Sequence, residues 1–113
     1  MTGVNPQDLK RYRNLEYFVA NGNELEEIPD EAFSIPGGNV VDILLHDNRI
    51  RKLGRRPFGN LNQLNAVTLH NNLLSEIKND NFYFTGHLQT LSLKGNQIAK
   101  FDMESFGESL IQI

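Results

Sequence analysis

Two groups of side chains in this 113-residue sequence have the types and spacing to do chemistry. The first is a histidine pair, His46 and His70, 24 residues apart, with hydroxyls nearby at Thr68 and Ser92. Imidazoles beside hydroxyls suit nucleophilic catalysis, metal binding or a pH-dependent contact. The second is the stretch RIRKLGRR, residues 49–56, where Arg49, Arg51, Lys52, Arg55 and Arg56 make up five of the chain's 11 Lys and Arg. Such a run suits a phosphate, a sulfated sugar or an acidic membrane.

Composition removes several alternatives. There are no cysteines, which excludes disulfides, thiolate chemistry and cysteine-ligated zinc. Fourteen acids outnumber the bases to give a net charge of −3, so the chain as a whole is not steered towards polyanions, and nucleic acid is not an expected partner. No apolar run approaches the roughly 20 residues of a membrane helix. The first fourteen residues contain no apolar stretch of the signal-peptide kind. No Gly-rich phosphate loop is present, and no cofactor is expected.

Whether the candidate groups can meet depends on the elements that carry them, and these repeat. Asn23, Asn48, Asn72 and Asn96 are spaced by 25, 24 and 24 residues, and Phe33, Phe58, Phe82 and Phe106 keep the same spacing. So do Leu15, Val40, Leu64 and Leu88; Phe18, Ile43, Val67 and Leu91; Ala20, Leu45, Leu69 and Leu93; Leu25, Ile50, Leu74 and Ile98; and Ile28, Leu53, Ile77 and Phe101. Aligned, each unit reads L-x-x-L-x-L-x-x-N-x-L-x-x-L-x-x-x-x-F, as in LNAVTLHNNLLSEIKNDNF, residues 64–82, and LQTLSLKGNQIAKFDMESF, residues 88–106. A single unit cannot bury its apolar face, so neighbouring units must stack.

Apolar residues at the fourth and sixth positions alternate with period 2 and predict short strands near 17–20, 41–45, 65–69 and 89–93. The asparagine stands where the chain leaves the strand, and its amide can satisfy backbone groups of its own and adjacent coils. An internal ladder of Asn23, Asn48, Asn72 and Asn96 follows. The phenylalanine fills the back of the coil. The extra residue of the first unit lies in SIPGGNV, residues 34–40, where Pro36, Gly37 and Gly38 predict a looser loop.

The pattern resembles the leucine-rich repeat family over about residues 15–110, and its late phenylalanine is similar to the 24-residue subclass common in animal extracellular proteins. The resemblance implies an α/β solenoid: a right-handed coil with a short parallel β-sheet on its concave face and a mostly irregular or short-helical convex side. Four repeats would occupy 15–39, 40–63, 64–87 and 88–113. Residues 1–14 would be a cap or the tail of a preceding repeat, since Leu9 and Tyr12 precede Leu15 as Phe58 and Leu61 precede Leu64. Solenoid ends normally carry polar caps, whereas Leu110, Ile111 and Ile113 are apolar. The expectation is a longer array, an end covered by a partner, or frayed residues that are tolerated.

Within this register the strand residues between the inward ones form three exposed columns. These are Tyr17, Asp42, Ala66 and Thr90; Val19, Leu44, Thr68 and Ser92; and Asn21, His46, His70 and Lys94. The resemblance implies that the concave face is the ligand surface. Tyr17, Val19, Asp42, Leu44, His46, Thr68, His70 and Lys94 are its candidate contacts, with a small apolar cluster beside a carboxylate as a hot-spot-like feature. Val and Leu also simply suit a strand. The histidines fall on adjacent strands, roughly 5 Å apart. Zinc usually takes three or more protein ligands, and here Lys94 repels a cation and Asn21 is a poor ligand. A Ser–His contact lacks an orienting carboxylate and an oxyanion hole, so no enzyme is expected. His87 belongs to a loop.

The same register relocates the basic stretch. Glu24, Glu26, Glu27, Asp30 and Glu31 occupy the repeat positions that Arg49, Arg51, Lys52, Arg55 and Arg56 occupy one unit later, and Glu76 and Asp80 follow Lys52 and Arg56. The run therefore reads as a device that orders the stacking of coils. The expected function is binding of a protein ligand, outside the cell as a secreted protein or ectodomain, with a cytoplasmic location as the alternative. Other readings are a structural or regulatory subunit that associates through its ends, and an anion- or glycan-binding module.

Overall fold

The computed structural model describes residues 2–34, 38–82 and 88–102 and the backbone of 111–112. Pro36, Gly37, His87, Phe106, Leu110 and Ile113 lie outside these residues. Strands β1 (Tyr17–Val19), β3 (Asp42–Leu44), β5 (Ala66–Thr68), β7 (Thr90–Ser92) and β9 (Ile111–Gln112) form one parallel sheet in the order β1-β3-β5-β7-β9. Its central residues pair as Phe18 with Ile43, Ile43 with Val67 and Val67 with Leu91. Ile43, Val67 and Leu91 are fully buried, so every coil turns the middle of its strand into one continuous core. The architecture is a parallel-strand solenoid with little helix.

The asparagines tie coil to coil. Asn72 Oδ1 accepts the Ile50 N–H of the preceding coil at 2.9 Å, while Nδ2 donates to Leu45 O of that coil and to Leu69 O of its own. Asn48 makes the equivalent bonds to Leu25 N, Ala20 O and Leu45 O, and Asn96 to Leu74 N, Leu69 O and Leu93 O. Asn23 donates to Ala20 O and Asn21 O of its own coil. One side chain thus satisfies a donor and two acceptors that would otherwise be buried without partners. Behind it, Phe33, Phe58 and Phe82 stack, with centroids 5.7 and 5.4 Å apart, and Phe18 closes the row edge-on against Phe33 at 4.9 Å. Such ring pairs add about 0.5–1.5 kcal/mol each beyond area burial.

The far side is mostly irregular, with a short 3-10 turn, as expected. It carries two further parallel pairs, β2 (Glu27–Ile28) with β4 (Lys52–Leu53) and β6 (Glu76–Ile77) with β8 (Lys100–Phe101). Polar and apolar residues alternate there, so a second period-2 element forms. Between β4 and β6 the ladder is interrupted. Asn81, buried in a 3-10 turn (Asn79–Phe82), bridges the gap by donating to Leu53 O and Gly54 O, and its Oδ1 accepts the Lys78 N–H. Gly54 lets the first two coils approach: an added Cβ would lie 2.5 Å from Asp30 N and 2.6 Å from Pro29 C.

Each turn after a main strand uses a left-handed residue, Gly22, Asp47, Asn71 or Gly95 in the same repeat position, at φ 71°, 58°, 57° and 79°. Glycine, asparagine and aspartate tolerate this region best. At the N-terminal end, Asn5 caps a four-residue helix α1 (Pro6–Leu9) by accepting the Gln7 N–H. Val4 and Leu9 join the core, whereas Tyr12 is 60% exposed and does not take the buried role of Leu61. At the other end β9 pairs with β7, Leu91 opposite Ile111 and Ser92 opposite Gln112. No helix among the described residues is long and apolar enough to cross a membrane.

The acids and bases of successive coils do lie side by side, with Glu27 opposite Lys52 and Glu76 opposite Lys100. No ion pair closes within either of these pairs. Glu76 instead meets Lys78 of its own coil at 3.6 Å. Asp30 accepts the backbone N–H of Arg55 at 2.7 Å, a directional bond between coils where a loose charge pair was expected. Stacking therefore rests on amides and rings more than on charge.

Replacing Asn72 by Ala should cost on the order of 3 kcal/mol in urea unfolding, because three backbone groups lose their partner. The exposed Asn62→Ala should stay within about 0.5 kcal/mol. Gly54→Ala should destabilise by about 1–3 kcal/mol, since backbone and not a flexible side chain blocks the methyl group.

Candidate binding surface

The exposed columns lie on the outer side of the main sheet. The register places Tyr17, Asp42, Ala66 and Thr90 in one row and Val19, Leu44, Thr68 and Ser92 in the next. Tyr17 and Val19 are 56% and 63% exposed, and Leu44 beside them is half-buried. Both exposed residues sit on the edge strand. Glu16 O and Ala20 N bond to β3, so the backbone groups of the alternate residues Tyr17 and Val19 face the open side of β1.

The histidines meet directly. The rings of His46 and His70 stack with centroids 4.4 Å apart and planes 12° from parallel. Each Nδ1 is held by a hydroxyl of the next strand, His46 by Thr68 Oγ1 and His70 by Ser92 Oγ, both at 2.7 Å. Thr68 Oγ1 also accepts the Leu45 N–H at 3.1 Å. Among the described residues no carboxylate accepts from either ring, and no third His, Cys, Asp or Glu joins the pair to make a metal-sized cluster. The hydroxyl contact orients the imidazoles. Lys94, next in the column, is exposed, as is Asn21 at the other end.

Asp42 stands apart from this satisfied ladder. It lies between Tyr17 and Ala66 in the register, and its Oδ1 is buried and finds no donor among the described residues. An unpartnered buried acceptor costs about 1–3 kcal/mol.

The basic stretch lies away from the main sheet. Arg51 and Lys52 line a groove of about 500 Å³ with Thr2, Val4, Glu26 and Glu27, and a second of about 220 Å³ with Ser75, Glu76, Lys78 and Asn81. Carboxylates stand among the cations in both, so this face is mixed in sign. Reading by residue type missed Asn81, because the matching positions one and two units earlier hold Pro57 and Ala32. It also missed the special position of Asp42, for which the register placed a ring and a methyl group on either side as the only signal.

A family model for the leucine rich repeat matches residues 38–107. Among curated proteins, epiphycan of Mus musculus is 45% identical over 51 residues, 45% of this chain and 16% of that protein. Keratocan of Gallus gallus is 31% identical over 103 residues, 89% of this chain and 28% of that protein. Leucine-rich repeat-containing G-protein coupled receptor 4 of Rattus norvegicus is 32% identical over 96 residues, 83% of this chain and 10% of that protein. The chain therefore spans from about a tenth to just over a quarter of the length of these relatives.

Because Asp42 Oδ1 is left without a donor among the described residues, Asp42→Val should raise stability by about 1 kcal/mol in urea unfolding, through removal of the unpaired acceptor and a gain in strand preference.

Proposed function

The chain belongs to the leucine-rich repeat family, and on that premise we propose that it is a non-enzymatic module that binds a protein through the concave face of its main sheet. The observation that carries this reading is the exposure of Tyr17 and Val19 beside Leu44 on the outer side of β1 and β3. Aromatic and apolar side chains grouped around a charge are the usual anchors of an interface, while the surrounding polar groups exclude water and set register. His46, Thr68, His70 and Lys94 supply that polar part: the hydroxyls hold the imidazoles in fixed orientations, so little side-chain entropy remains to be lost on contact.

Two further considerations support the reading. The chemistry that an enzyme would need is thin, since the imidazole–hydroxyl contacts lack an orienting carboxylate among the described residues. The repeat subclass and the similarity to a receptor protein support placement outside the cell, as a secreted protein or an ectodomain.

Affinity capture from extracellular and cell-surface fractions tests the face. The wild type is compared with a concave variant, Tyr17→Ser with Leu44→Ser, and with a far-side variant, Arg51→Glu with Arg55→Glu. The partner recovered by the wild type should bind the concave variant at least about tenfold more weakly, the loss of one hot spot, and should bind the far-side variant normally. Full binding by the concave variant would show that the face is wrong.

A further inference from the structure

From the concave reading, on which this rests, we infer that Asp42 and Tyr17 form a subsite for a cationic side chain, an arginine or lysine, of the protein partner. Three observations converge on it. Asp42 Oδ1 is buried and has no donor among the described residues, although nearly every buried polar atom in a folded chain has one. Asp42 makes no ion pair with any described residue, although the chain carries 11 Lys and Arg. The register sets Tyr17, 56% exposed, next to Asp42 on one side and Ala66 next to it on the other.

These features have a common consequence. Ala66, half-buried, contributes only a methyl group on the other side of Asp42. The ring of Tyr17 offers a face over which a guanidinium or ammonium group is attracted electrostatically. The carboxylate then supplies the charge, which an N–H of a guanidinium or ammonium group answers with a charge-assisted bond. Partial burial raises the value of this bond over one made in open water, because competing solvent is displaced. Glu16, exposed and one residue before Tyr17, adds a second carboxylate at the same end of the sheet.

The opposite end of the same strands has the opposite character. His46, His70 and Lys94 are donors, and they lie four residues beyond the Asp42 row, roughly 13 Å along the strand. The concave strip is therefore polar along its strands, with an acceptor beside an aromatic ring at the start and donors at the end. A partner with a basic side chain at the Asp42 end meets complementary charge there, and a partner with an acidic side chain at that end is repelled.

The test uses a probe that needs no knowledge of the partner. N-acetyl-arginine amide is titrated into the full ¹⁵N-labelled chain, with N-acetyl-citrulline amide as the uncharged isostere. Arginine amide should give saturable shifts centred on Tyr17, Asp42 and Ala66, at an affinity at least about tenfold above that of citrulline amide, the factor a charge-assisted hydrogen bond supplies. Asp42→Asn, which keeps size and shape, should reduce arginine amide to the citrulline level while the rest of the spectrum stays unchanged. Tyr17→Leu should weaken the arginine response and spare the fold, because the side chain is exposed. Equal responses to the two amides, or an undiminished arginine response in Asp42→Asn, would overturn the subsite. With a captured partner the two readings separate. Loss of binding in Tyr17→Ser with Leu44→Ser but none in Asp42→Asn overturns the cation subsite and leaves the concave face standing. Binding that survives in both variants overturns both.

Discussion

A coil of about 24 residues cannot satisfy its own backbone, and the rest of this structure depends on how that deficit is met. After each strand the chain must turn back across the top of the core, which leaves amide and carbonyl groups buried where no strand can pair with them. The asparagine side chain is short enough to stay in the turn and has an acceptor and two donors to reach both ways. Asn72 accepts from Ile50 and donates to Leu45 in the coil before, and donates to Leu69 in its own. These bonds fix the translation from one coil to the next. The phenylalanine stack, the strand register and the left-handed turns at Asp47, Asn71 and Gly95 all share that translation.

Once the translation is set, it acts on the outer surface as it does on the core. A side chain at one repeat position meets its counterpart one coil away whether or not the pair is useful. Inside, this produces Phe33 on Phe58 on Phe82; outside, it produces His46 on His70. Individuality comes from the columns that are not uniform. Tyr17, Asp42, Ala66 and Thr90 differ in size, charge and polarity, so their row has a shape and a sign that the repeat itself does not dictate. Asp42, whose Oδ1 has no donor among the described residues, is the sharpest of these departures from the repeat.

The repeat columns made much of the fold legible in the sequence. The main strands fall within the expected segments, and the inward residues Ile43, Val67 and Leu91 form the core. What escaped is local. β9 pairs 20 residues after β7, a spacing outside the 24-residue period, so Ile111 matched no column. Asn81 shares its repeat position with Ala32 and Pro57, and only the interruption between β4 and β6 explains why an amide is buried there. The charge columns were legible as columns, but whether a salt bridge closes depends on side-chain rotamers; Glu27 and Lys52 are neighbours without a bond, while Asp30 finds a backbone N–H. The exposed rows of the concave face followed from period 2. Their use as a binding surface came from family resemblance, because periodicity says only which side chains face outward.

Hydroxyl-radical footprinting of the chain, free and bound to its captured partner, reads side-chain accessibility on both faces at once and tests the central claim most directly. A concave interface predicts strong protection of Tyr17, Leu44, His46 and His70 in the complex, with Tyr12 and the 49–56 stretch reacting as in the free chain. Protection confined to 49–56 or Tyr12, with Tyr17 and Leu44 still fully reactive, would contradict it.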